Sequence, residues 1–83
     1  MNLADLPLDN ARFEPRFAGL GLAGIAADSR KVKPGFLFFA IAGAKADGAH
    51  FARQAVAAGA VAVAAEQRPE GLPDTVAFVQ VAN

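Results

Sequence analysis

The apolar run Phe36-Leu-Phe-Phe-Ala-Ile-Ala42, bounded by Pro34-Gly35 on one side and Gly43 on the other, most constrains how this chain can fold. A run that is short, rich in large apolar groups and without polar alternation must be covered on both faces, as a central strand is. Just before it, Lys33-Pro34-Gly35-Phe36 suits a type II turn. Proline fixes the first central φ there, and glycine accepts the positive φ at the second. A strand covered twice needs further layers, which the remaining sequence has to supply.

Those layers can be read in order along the chain. Residues 1–17 offer Leu3, Leu6 and Leu8 as apolar points, a short helical turn limited by Pro7, and then an irregular lead-in around Pro15. Leu22 to Ala27 reads as a strand of small residues. After the central run, Asp47 can cap a helix that Gly59 ends in the left-handed conformation. Phe51, Ala52, Ala55 and Val56 recur at helical spacing and form its apolar face, while Arg53 and Gln54 point away. Val61 to Ala65 and Thr75 to Val81 read as two more strands, separated by a turn-rich loop from Gly71 to Asp74. The order β, β, α, β, β predicts one α/β domain over residues 1–83, a small mixed β-sheet packed with helices. Much of its core must be alanine, so the layers should lie close together.

Charge and composition exclude several functional classes. Lys+Arg and Asp+Glu are 8 each, so the whole-molecule field offers no phosphate-neutralising surface, and no nucleic-acid partner is expected. Cysteine is absent, which excludes a disulfide framework or a thiolate metal site. The N-terminus carries acids and a proline where an export signal would have bases and a continuous apolar core. No apolar run approaches the roughly 20 residues that span a bilayer. The expectation is a soluble, cytoplasmic protein with no membrane partner.

The residues that could carry chemistry are few. Gly19-Leu-Gly-Leu-Ala-Gly24 matches the spacing of a dinucleotide-binding turn, but Pro15 before it and Pro34 after it leave no room for the strand-helix-strand unit such a turn requires. No Gly-x-x-x-x-Gly-Lys-Ser/Thr phosphate loop is present. His50 is the only histidine, and without further ligands it makes neither a metal site nor a catalytic set. What remains is recognition. Ser29 supplies a hydroxyl at a strand exit, and the loop after Gly43 supplies backbone N–H groups from Ala44, Lys45 and Ala46. Both could converge on one polar ligand with an anionic group; ordinary loop capping is the other reading of the same residues. Asp28 and Arg30 read as a short ion pair that fixes the strand exit.

Asp28-Ser29-Arg30, Pro34-Gly35, Leu37-Phe38, Ala40, Gly43, Asp47-Gly48, Phe51, Gln54-Ala55 and Gly59-Ala60 together resemble the N-terminal domain of the Mur ligases. The resemblance runs from about Gly24 to the end of the sequence and is nearest to the MurE ligases. Those enzymes use ATP and magnesium to add the third amino acid to UDP-N-acetylmuramoyl-L-alanyl-D-glutamate in peptidoglycan synthesis. The MurF ligases share Asp-Ser/Thr-Arg and Pro-Gly-Leu-Phe, whereas Asp47-Gly48 is closer to MurE.

The resemblance implies a substrate-anchoring domain that holds the UDP end of the substrate, with contacts at Ala27, Ser29, Ala44, Lys45 and Ala46. Asp28, Arg30, Gly43 and Asp47 would shape the site around them. No catalytic residue has a counterpart here, so ATP, magnesium and the amide-forming step would belong to the remaining domains of the ligase, and the fragment alone would be inactive. Two positions depart from the MurE pattern: Ala44 stands where a histidine is frequent, and Phe36 where a polar residue is usual. The alternatives are a non-enzymatic protein-interaction module that keeps the Mur-like scaffold, from a different class, and the equivalent domain of a MurF-type ligase.

Overall fold

The computed structural model describes residues 1–5, 11–40 and 48–81. Its four strands are β1 (Gly24–Ala26), β2 (Phe36–Phe39), β3 (Ala62–Ala65) and β4 (Ala77–Gln80), and they lie in that order in one sheet. Among the described residues one α-helix, α1 (Gly48–Ala57), lies between β2 and β3. The order of elements is the one expected, and the fold is α/β. All three strand pairings are parallel, with Ala26 opposite Phe38, Phe38 opposite Val63 and Val63 opposite Phe78. The antiparallel component of a mixed sheet is confined to isolated bridges, Asn2 with Gly21 and Arg12 with Gln80. Short parallel strands follow from the connections: each link must carry the chain back to the starting end of the sheet, which no tight hairpin does.

The side-chain alternation along the strands assigns the two faces. Phe38 and Val63 belong to one buried cluster with Ala52 and Ala55 of α1, Val32, Ala60, Leu72 and Val76. Leu37, Ala62, Ala64, Ala77 and Val79 point the other way and pack with Leu3 and Leu22, with Phe13, Phe17 and Leu20 at the margin. The residues before β1 are therefore the second layer of the domain, where the sequence suggested a lead-in. Leu3 is only 1% exposed, as buried as the strand residues it covers. Its backbone is tied down by the Leu3 N–H donating to the Leu20 carbonyl and the Leu22 N–H donating to the Met1 carbonyl.

Several local expectations meet their geometry. The Phe36 N–H donates to the Lys33 carbonyl at 3.1 Å and Gly35 has φ of 87°, the pattern of a type II turn. Gly59, at φ 108°, ends α1: its N–H donates to the Val56 carbonyl and the Ala60 N–H to the Ala55 carbonyl, a Schellman closure. Asp47, expected to cap α1, lies outside the described residues. On α1 the buried stripe is Ala52 and Ala55 with Val56 half-buried, while Phe51 is 37% exposed. The expected apolar face is thus narrower, because alanine lets the helix sit against the sheet where the phenyl ring of Phe51 would not fit.

Candidate functional site

Parallel pairing sends every strand out of the sheet at the same edge. β1 ends at Ala26, whose register partner is Phe38, and neighbouring strands run about 4.8 Å apart. The residues that follow β1 and those that follow β2 therefore depart from adjacent points on one edge. These are the two segments in which Ala27, Ser29, Ala44, Lys45 and Ala46 were singled out. The structure describes the first of them. Gly43 to Asp47, and with them Ala44, Lys45 and Ala46, lie outside the described residues.

The exit from β1 is a built turn. Ala27 is exposed, Asp28 is extended at φ −112° and ψ 119°, and Ser29–Lys31 form one turn of 3-10 helix. Asp28 caps that turn: its Oδ1 accepts the Arg30 backbone N–H at 2.9 Å, and its own carbonyl accepts the Lys31 N–H at 2.9 Å. The same carboxylate takes the Arg30 guanidinium in a two-pronged contact, Nε to Oδ1 at 3.1 Å and Nη2 to Oδ2 at 2.9 Å. Arg30 thus folds back over its own turn, and Ser29 falls at the backbone between the two partners. Val32, buried at 7% exposure, pins the far end of the turn into the α1-side core, and α1 packs against this turn.

Electrostatics follow from this geometry. The side-chain hydrogen bonds from Arg30, and then its backbone N–H, lower the Asp28 carboxyl from 3.8 to about 2. Asp28 in turn raises Arg30 above its ordinary value. Since 87% of the Arg30 side chain is exposed, the pair adds little to stability. Its effect is conformational: three donors on one carboxylate fix the turn. The expected ion pair at the strand exit is present, and Asp28 also caps the turn, in line with the loop-capping reading of these residues.

Elsewhere the expectations separate. Gly19 to Gly24 starts no helix; Gly21 bridges to Asn2, and Gly24 opens β1. His50 falls in the first turn of α1. Among the described residues no group of three or more His, Asp or Glu is placed to hold a metal ion, and no helix is long and apolar enough to cross a membrane. The sequence holds no Gly-x-x-x-x-Gly-Lys-Ser/Thr phosphate loop. Sequence reasoning missed an open cleft of about 270 Å³ beside β4, lined by Arg12, Phe13, Glu14, Arg68, Phe78 and Gln80. Its only sequence signal is arginine interleaved with phenylalanine in two distant segments.

Comparison with known proteins bears on the same residues. The family described as "Mur ligase family, catalytic domain" matches residues 22–81. The chain is also 52% identical, over 83 residues, to a UDP-N-acetylmuramoyl-L-alanyl-D-glutamate–2,6-diaminopimelate ligase of Bradyrhizobium diazoefficiens. That match covers 100% of this chain and 17% of the ligase.

Proposed function

The chain belongs to the Mur ligase family, and from that premise we propose that it is the substrate-anchoring domain of a MurE-type ligase of peptidoglycan synthesis. In this reading it grips the UDP end of UDP-N-acetylmuramoyl-L-alanyl-D-glutamate. The observation that carries the proposal is the parallel pairing of β1 with β2, which starts the Ala27–Lys31 turn and the segment after β2 from adjacent points on one sheet edge. The turn held by Asp28 and Arg30 would present Ser29 to the nucleotide, and backbone N–H groups of Ala44, Lys45 and Ala46 would meet its anionic part between Gly43 and Asp47. ATP and magnesium would be bound by parts of the ligase outside these residues, in the cytoplasm. The domain itself would supply orientation. A nucleotide held at one end restricts where the distant carboxylate can lie, and that restriction is worth several kcal/mol when it converts an encounter into a fixed geometry.

The test is a titration of isotope-labelled protein with UDP and, separately, with UDP-N-acetylmuramoyl dipeptide, followed by backbone amide shifts. The expected result is saturable shifts at Ala27, Ser29 and residues 44–46 with both ligands. A well-dispersed spectrum that stays unchanged at millimolar ligand would overturn the proposal.

A further inference from the structure

The cleft beside β4 has features that the anchoring role does not use. Arg12 exchanges both backbone hydrogen bonds with Gln80, at 2.8 and 2.7 Å, so its place on the margin of β4 is fixed. In a hydrogen-bonded antiparallel pair the two side chains emerge on the same face. That face also holds Phe78, two residues before Gln80, which packs at the edge of the α1-side cluster. Arg68 lies over Phe78, 6.0 Å from the ring centroid, and is held there by the Leu72 carbonyl at 3.1 Å and Asp74 at 3.3 Å. Glu14 is taken by Arg16 at 2.9 Å. Among the described residues, then, the acids that border the cleft already have arginine partners, while the Arg12 guanidinium has no ion pair or hydrogen bond. An unpaired cation on a fixed stretch of backbone, beside a half-buried aromatic ring and with the cleft's own carboxylate already paired, suits an acidic group carried on an apolar scaffold.

We propose that this cleft docks an acidic segment of the ligase's own polypeptide, from the part that follows β4. The proposal rests on the reading of the chain as one domain of a longer ligase. In the Bradyrhizobium relative the matched stretch is 17% of the length, so most of a ligase of that size lies outside this fold. Polypeptide continuing from Gln80 and Val81 starts at the margin of the cleft, where a short tether gives it a high effective concentration. Docking there would fix the direction in which the anchoring domain faces its neighbours.

The experiment compares amide hydrogen exchange in the 83-residue protein with exchange in the Bradyrhizobium ligase whose matched stretch has been replaced by this chain. The expected result is slowing by about tenfold or more at Arg12 and Gln80 in the longer protein. Arg12→Glu should reverse it, and the milder Arg12→Gln should reverse it in part. Protection at Leu37 certifies that the domain is folded in each protein. Equal exchange in the two proteins, or slowing that survives Arg12→Glu, would overturn the proposal. So would saturable shifts of the Arg12 Nε–H on titrating the 83-residue protein with inorganic phosphate, which would assign the cleft to a small anion. Dimerisation of that protein in sedimentation, lost on Arg12→Glu, would assign it to a second copy instead. UDP titration of the longer protein keeps the two readings apart. UDP-induced shifts at Ser29 should persist in Arg12→Glu; their absence, with slowed exchange at Arg12 intact, would count against anchoring and leave the docking proposal standing.

Discussion

Replacing Gly59 by alanine should nearly unfold this domain, while the same change at Gly71 should be tolerated. Both glycines have positive φ, 108° and 81°, so each substitution forces an L-residue into the left-handed region at a cost of about 1–2 kcal/mol. They differ in what the new methyl group meets. At Gly71 nothing lies within 4 Å; at Gly59 a Cβ would sit 2.6 Å from Pro34 Cα and 3.0 Å from its Cβ and Cγ. Those atoms are backbone and a rigid ring, so the strand entry must move by about an ångström to reach ordinary contact, and overpacking of that kind costs about 1–3 kcal/mol. The movement would also strain the bond from the Gly35 N–H to the Gly59 carbonyl, 2.9 Å, worth about 1 kcal/mol. The total for Gly59→Ala is about 3–6 kcal/mol against a stability of about 5 kcal/mol for a domain this small. Urea unfolding followed by far-UV circular dichroism measures both variants. Midpoints within about 0.3 M of each other would refute the reasoning, because at a slope near 1 kcal/mol/M the predicted gap is about 2–4 M.

Other substitutions test other parts of the structure. Leu37→Ala, at a fully buried position in β2, should cost about 2–5 kcal/mol by urea unfolding. Gly24→Ala would bring a Cβ to 2.8 Å from Cζ of the Phe36 ring, and should cost about 1–2 kcal/mol that largely vanishes in a Phe36→Leu background. A double-mutant cycle with no coupling between these two positions would show that the ring yields freely. The Asp28 carboxyl, lowered by the Arg30 contacts, should titrate near about 2 by carboxyl-carbon NMR. Its folded value lies below its unfolded one, so its contribution to stability is full above pH 3.8 and is lost as pH falls toward 2. Asp28→Asn should flatten that part of the stability profile, and a titration near 3.8 in the parent protein would show that the Arg30 contacts do not form in solution.

What the sequence made legible was whatever has a local cause. The Pro34–Gly35 turn, the Gly59 helix end, the unbroken apolar run of β2 and the Asp28–Arg30 pair each depend on residues within a few positions of one another, and each is found where the local chemistry put it. The strand directions and the second layer have no such cause. Parallel pairing follows from where each connection returns, and Leu3 is buried because Leu22, Leu37 and Val79 lie across from it, which no spacing in residues 1–17 announces. The candidate site divides along the same line. The turn after β1 could be read from three consecutive residues, whereas its adjacency to the segment after β2 depends on the register of Ala26 with Phe38.

The departure at Phe36 links these levels. Where the MurE pattern has a polar residue, this chain has a ring that occupies the space a Cβ at Gly24 would need, so a missing side chain on β1 is filled from β2. The same economy runs through β3, where Ala62, Ala64 and Ala65 are all buried beside Val63 and the helix facing the strand also presents alanine. Thin layers leave little slack. A larger side chain at Ala62 or Ala64 would lift the N-terminal layer, and one at Ala55 would lift α1, which packs against the Ser29–Lys31 turn. The geometry of the strand exits is in this sense set by the small residues behind them: the backbone of the Ser29–Lys31 turn keeps its place only while α1 stays close to the sheet.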